Sequence, residues 1–268
     1  PTGGTRNAAT NCYSNWTSVI QTQTVAAAVV WTSGRVNVII TAPTKSVKNA
    51  RIRVTQGALI GCSTDNFSIR PVSLVLAATG LGADATGSST TLTPVTKAGA
   101  NFTLTATASD TSYTGTPTIS SAVVAHSGAV RAGTLSGTFA AAVSGVASTT
   151  TFTYDEVGYF KLAANNLLDA TFTHVDNGVG DCTPDFSTAL VGGQYGCKIG
   201  SAVTNYFGRF IPDHFAITSG TVTPANNGFT YFGQDGFTTS FTLNAQNLAS
   251  TSAQNYTGTF AKLGLATY

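Results

Sequence analysis

Three strings in this chain return in the same order roughly 140 residues later, an offset of about one domain length. Pro71-Val72-Ser73-Leu74-Val75-Leu76 is echoed by Pro212-Asp213-His214-Phe215-Ala216-Ile217. Phe102-Thr103-Leu104-Thr105-Ala106 returns as Phe241-Thr242-Leu243-Asn244-Ala245, and Tyr113-Thr114-Gly115-Thr116 as Tyr256-Thr257-Gly258-Thr259. Chance rarely preserves both order and spacing, so the echoes predict tandem copies of one module. The second copy starts near Phe207 and is incomplete here, so the chain reads as a piece of a longer protein.

The module is β. In residues 102–107, Phe102, Leu104 and Ala106 alternate with threonines, which is the period of a strand with one buried face. Residues 151–162 read similarly, with a turn expected at 155–158. Short alternating stretches separated by Gly, Ser and Thr, with no sustained helical period, predict an all-β fold of tandem antiparallel immunoglobulin-like β-sandwich domains. At most one helical turn is expected, around 163–170. The expected organisation is an N-terminal β segment at 1–64, a sandwich repeat at 65–206 with a decorated loop at 165–205, and the start of a second repeat at 207–268. Within the first segment, strands are expected at 24–32, 35–42 and 50–55, with Ser33-Gly34 turning the first two into a hairpin.

Composition narrows the function classes. Charged residues are 9% of the chain and hydrophobic residues 42%, a balance that argues against disorder. About a quarter of the residues are Ser or Thr, which suits the polar faces of half-buried strands. A net charge of +2 supplies no steering field for nucleic acid. Lys45, Lys48, Arg51 and Arg53 read as a solvated edge. No apolar run is long enough to span a membrane. Four cysteines without CxxC spacing argue for disulfides over zinc. Cys182 and Cys197 form the local pair, which leaves Cys12 for Cys62, in an oxidising compartment; four buried thiols are the competing reading.

The residues offer little chemistry. Only His126, His174 and His214 could act as bases, and none adjoins a nucleophile motif. Glu156 is the single glutamate, so a glycosidase pair of carboxylates has no clear second member. Asp176, Asn177, Asp181 and Asp185 in a Gly-rich stretch are the best calcium candidates, against the plainer reading of an Asx-rich turn. Glu156 could also serve as proton shuttle for a Lys to Asn isopeptide cross-link. Asn15, Asn66, Asn101 and Asn255 match the N-glycosylation pattern, although composition alone generates several such matches.

Several strings in order resemble the conserved C-terminal region of MshQ-like proteins. They are Cys62-Ser63-Thr64-Asp65-Asn66-Phe67-Ser68-Ile69-Arg70-Pro71, Tyr154-Asp155-Glu156-Val157-Gly158-Tyr159-Phe160, Gly208-Arg209-Phe210-Ile211-Pro212-Asp213-His214-Phe215 and Asn255-Tyr256-Thr257-Gly258. Those are large bacterial surface proteins associated with mannose-sensitive haemagglutinin (MSHA) type IV pili. The resemblance spans roughly residue 50 onward and implies no catalytic residue. It implies a secreted or outer-surface protein of bacterial origin, often with a lectin-like β domain upstream. The resulting expectation is a non-enzymatic extracellular segment serving as stalk or adhesin scaffold, with pilus or other cell-surface proteins as partners. Two alternatives stand beside it. One is a calcium-assisted glycan-binding module using the 165–205 loop, with Phe186, Tyr195 and Tyr206 as stacking surfaces. The other is a filament subunit that self-associates by strand complementation through open edges.

Overall fold

The computed structural model describes residues 4–15, 18–25, 29–173 and 181–264. Strands β1 (Val47–Ala50), β2 (Arg53–Gln56), β3 (Leu59–Cys62) and β4 (Phe67–Ile69) make a small lobe in which β2 pairs with β3 and β1 with β4. The main body follows with β5 (Leu74–Thr79), β6 (Gly82–Asp84), β7 (Thr96–Lys97), β8 (Phe102–Ala108), β9 (Thr118–Ile119), β10 (Val124–Ala125) and β11 (Leu135–Ser136). It continues with β12 (Val146–Tyr154), β13 (Gly158–Lys161), β14 (Leu167–Leu168) and β15 (Tyr206–Ile211). A long antiparallel ribbon, β16 (His214–Thr223) with β17 (Thr238–Gln246), comes last. Among the described residues helix is confined to 3-10 turns at Thr171–Thr173 and Gly258–Phe260.

Two sheets form the sandwich. One runs β11-β12-β8-β5, the other β10-β13-β15-β6, with β7 added parallel to β15. Alternation decides which side chains meet between them. Leu74 and Leu76 of β5, Phe102, Leu104 and Ala106 of β8, and Phe152 and Tyr154 of β12 point inward and are buried. They face Phe160 of β13 and Phe207 and Phe210 of β15. The rings interlock, with centroids 5.5 Å apart for Phe102–Phe210, 4.9 Å for Tyr154–Phe160 and 5.1 Å for Tyr154–Phe210. Such tilted and edge-on pairs add to the area they bury.

The echoed strings pair with each other in both places. β5 runs antiparallel to β8 through Leu76↔Ala106, and β16 antiparallel to β17 through Ile217↔Leu243. Their surroundings differ. Phe102 is 5% exposed while its echo Phe241 is 45% exposed, because no second sheet covers the β16–β17 face among the described residues.

Several local expectations need correction. Strands at 24–32 and 35–42 do not form among the described residues. The Ser33-Gly34 turn is present, with φ of 51° and 74°, and Thr32 bridges Arg35. Further out, glutamine side chains replace the ladder: Gln23 Nε2 donates to the Ile39 carbonyl and Gln23 Oε1 accepts from Thr41 N–H, at 2.9 and 2.7 Å. An isolated ribbon without a sheet to bury against is marginal, and Ile39 is 90% exposed. The expected strand at 50–55 is split between β1 and β2. Residues 163–170 hold no helical turn, within the limit of one that the sequence allows; Asn165 adopts φ 63° and β14 follows. The expected border at 206/207 falls inside β15, and the one at 64/65 separates the paired strands β1 and β4.

Candidate functional site

The most built polar site surrounds Glu156, in the turn between β12 and β13. Its carboxylate is fully buried. Oε1 accepts from Arg131 Nε at 2.6 Å and from Gln254 N–H at 3.0 Å, while Oε2 accepts from Asn255 N–H at 3.0 Å and Val157 N–H at 3.2 Å. Arg131 also pairs with Asp155. Asn255, itself buried, completes the contact from the other side. Its Oδ1 accepts from Val130 and Arg131 N–H at 2.8 and 3.0 Å, and its Nδ2 donates to the Arg131 carbonyl at 2.9 Å. Asn247 repeats the device one strand-end earlier, donating to the Asp155 carbonyl at 3.0 Å. The segment that follows β17 is therefore clasped to the sandwich through buried side chains, each with its hydrogen bonds made.

This geometry overturns the cross-link reading. Among the described residues the cation at Glu156 is Arg131 and not a lysine, and the carboxylate accepts four N–H donors. A carboxylate with both oxygens taken up by N–H donors is a structural anchor. The acceptor motif at Asn255 is likewise closed to glycan, since the side chain is buried.

Next to the clasp lies His126. Its ring packs edge-on to Phe260 at 4.5 Å, and its Nδ1 accepts from Tyr159 N–H at 3.3 Å. Gly158, at φ 95°, is required here because a Cβ would overlap the His126 ring. Burial pushes the His126 imidazole below its ordinary pKa, with the nearby Glu156 charge acting in the opposite direction. An unfolded histidine titrates near about 6.5, so between that pH and the lower native value the unfolded chain binds the extra proton. Stability from this site is complete above about pH 6.5 and falls as pH drops through that window. Thermal midpoints measured from pH 7 to 5 should fall more steeply for the wild type than for His126→Gln; parallel curves would refute the assignment.

The decorated loop is held at its neck. Asp169 and Ile199 exchange backbone hydrogen bonds at 2.9 Å each. Tyr113 donates to Asp169 Oδ2 at 2.8 Å, inside the core. Arg70, from the string that carries part of the resemblance, reaches into the loop, where Nε donates to the Gly196 carbonyl and Nη2 to the Ser187 carbonyl, both at 2.6 Å. Nothing in the sequence marks Arg70 for this role, because its partners are backbone carbonyls more than a hundred positions away.

Disulfides join Cys182 to Cys197 and Cys12 to Cys62, with Cα separations of 5.5 and 4.9 Å. Closing a loop of 15 residues is worth about 3 kcal/mol on the chain-entropy model. Reduction, or Cys182→Ser with Cys197→Ser, should lower the denaturation midpoint accordingly and expose the 181–197 backbone amides to exchange.

Of the four calcium candidates, Asp181 and Asp185 fall among the described residues. Asp176 and Asn177 lie outside the described residues. Asp185 Oδ1 accepts from Thr183 Oγ1 at 2.8 Å and Ser187 N–H at 2.9 Å, the geometry of an Asx turn. The Ser187 N–H and the Thr183 hydroxyl hold its pKa below the usual carboxylate range. Asp181 is exposed. Among the described residues no group of three or more His, Cys, Asp or Glu could hold a metal ion. Of the proposed stacking surfaces, Phe186 lies under Lys198 and Tyr206 under Lys161, at 5.7 and 4.5 Å, while Tyr195 is exposed. No ring-to-ring contact joins the three among the described residues. His214 is held between Asp213 Oδ2 and Gln246 Oε1, at 2.8 Å on each nitrogen, and Lys97 pairs with Asp213 at 3.0 Å. Its ring nitrogens face an acid and an amide, not a hydroxyl. His174 lies outside the described residues.

A family model described as DUF6701, third domain, matches residues 156–268. The match opens on Glu156 and runs through β15, the ribbon and the clasp. No curated protein and no solved structure matches the chain. No helix among the described residues is long and apolar enough to cross a membrane.

Proposed function

We propose that this chain is a non-enzymatic structural segment of an extracellular bacterial surface protein, a stalk or adhesin scaffold that carries a binding element away from the cell. The observation that carries the reading is the clasp. A buried carboxylate, a buried asparagine and a half-exposed arginine hold the element after the sandwich against it. A joint that must transmit force or hold spacing needs such fixation, whereas two domains on a passive tether do not. Two disulfides support an oxidising compartment, and the resemblance to MshQ-like proteins supports pilus association. Calcium-assisted glycan binding by the 165–205 loop receives no such support from the described residues.

Immunogold labelling of the source cells with antibody to this segment tests the reading. Label along or at the end of a surface appendage is the expected result. Label confined to the cell interior or dispersed in the medium would overturn it.

A further inference from the structure

Among the described residues, the edge of the sandwich at β5 is left open beyond Leu74. At the start of β5, Leu74 N–H donates to the Gly200 carbonyl at 2.8 Å, and Leu74 bridges Ser201 in parallel. The 200–205 segment then turns away: Ser201 O accepts from Asn165 N–H, and Thr204 exchanges bonds with Leu162. The divergence leaves a groove of about 440 Å³ between β5 and residues 201–205, walled by Leu76, Ala78, Leu81, Ala83, Val203 and Phe207. Because Leu74 N–H points away from β8, alternation aims the N–H and C=O groups of Leu76 and Ala78 out of the sheet in the same direction. Ser201 Oγ is buried there with no hydrogen-bond partner among the described residues. An apolar floor beside unpaired strand backbone is the surface to which a further strand adds.

The same molecule carries a segment of strand-like sequence that joins no sheet among the described residues. Residues 36–41, Val-Asn-Val-Ile-Ile-Thr, have strong strand propensity. Val38, Ile39 and Ile40 are nevertheless all exposed. The segment has six residues, as does β5, and contains no charged side chain, just as the groove wall contains none. We propose that residues 36–41 of a second copy of this chain add antiparallel to β5, placing alternate apolar side chains in the groove. Donor and acceptor lie at different places on one molecule, so the contact is heterologous and propagates head to tail. A single six-residue strand is a small interface, below the about 1,200 Å² at which stable complexes begin. Association is therefore weak and concentration-dependent. The inference does not rest on the stalk reading, since a free-standing secreted protein could assemble in the same way.

Sedimentation velocity on the full chain across about 1 to 500 µM is the test. Wild type should gain mass with concentration. Val38→Lys with Ile40→Lys removes the donor, and Val203→Lys puts a charge in the acceptor; all three positions are exposed, so circular dichroism should show the fold retained. Each variant alone should associate at least about tenfold more weakly. Mixed, the two should form a one-to-one dimer and stop there, because the intact donor of one meets the intact acceptor of the other and the donor and acceptor left over are the mutated ones. A wild-type chain that is monomeric throughout overturns the proposal, as does association unaffected by either variant. Strong amide-exchange protection of residues 36–41 in a monomer would show instead that the groove is filled by its own chain, and would also overturn it.

Discussion

Replacing Glu156 with glutamine should destabilise this protein by about 3 kcal/mol or more. The change keeps size and shape but turns one carboxylate oxygen into an NH₂ group. Each oxygen accepts two donors, Arg131 Nε with Gln254 N–H on Oε1 and Val157 N–H with Asn255 N–H on Oε2. Either orientation of the amide therefore sets a donor against two donors, and an unsatisfied buried N–H costs about 1–3 kcal/mol. Arg131 is 35% exposed, so water recovers part of the lost ion pair and the weight falls on the backbone groups. Calorimetry should show the midpoint falling by about 6–12 °C. Amide exchange should localise the loss to 247–255. Asp155→Asn, on a half-exposed carboxylate, should cost about 1 kcal/mol or less. Equal costs for the two substitutions would mean that the clasp is an ordinary surface ion pair.

How far the fold could be read from the chain depended on whether its cause was local. The alternation in 102–107 is a property of neighbouring residues, and it correctly assigns Phe102, Leu104 and Ala106 to the buried face. The turn expected at 155–158 separates β12 from β13 because Gly158 supplies a backbone conformation few residues accept. Residues 24–42 show the opposite case. Their propensity is strong, but a strand needs a partner and a face to bury, and among the described residues only the turn and glutamine side chains hold the ribbon. At the candidate site, the solitary Glu156 was visible as an oddity, yet its role was not. That role depends on Arg131 arriving from β10–β11 and Asn255 from beyond β17, and distance in sequence hides both. The strings that carry the resemblance fall at such meeting points. Tyr154 to Phe160 and Asn255 to Gly258 build the clasp, and a Cβ at Gly208 would overlap the Tyr159 ring of the adjoining strand. Arg70 grips the decorated loop. Their shared feature is long-range contact, which explains why the strings read as distinctive without revealing a chemistry.

The two echoed phenylalanines should separate the copies experimentally. Phe102→Ala empties a site bounded by Phe160 and Phe210, whose ring centroids lie 6.1 and 5.5 Å away, and a buried Phe→Ala change costs about 3–5 kcal/mol. Phe241 occupies the same place in the pattern and the same kind of strand pair, but it is 45% exposed. Its removal forfeits only the area already withdrawn from water, about 1 kcal/mol on the usual surface scale. Urea denaturation of the two variants should therefore give midpoints well apart, with Phe102→Ala the less stable. The comparison turns on β15: Phe210 lies beyond the border that the repeat alone would draw, yet its strand is hydrogen-bonded between β13 and β6 and its ring closes the first core. If the two variants lost the same stability, the β16–β17 face would have to be covered in solution as thoroughly as the β5–β8 face is by Phe160 and Phe210, and the second copy would carry a core of its own. A large gap would assign the core to the first copy, with the ribbon depending on the clasp for its position.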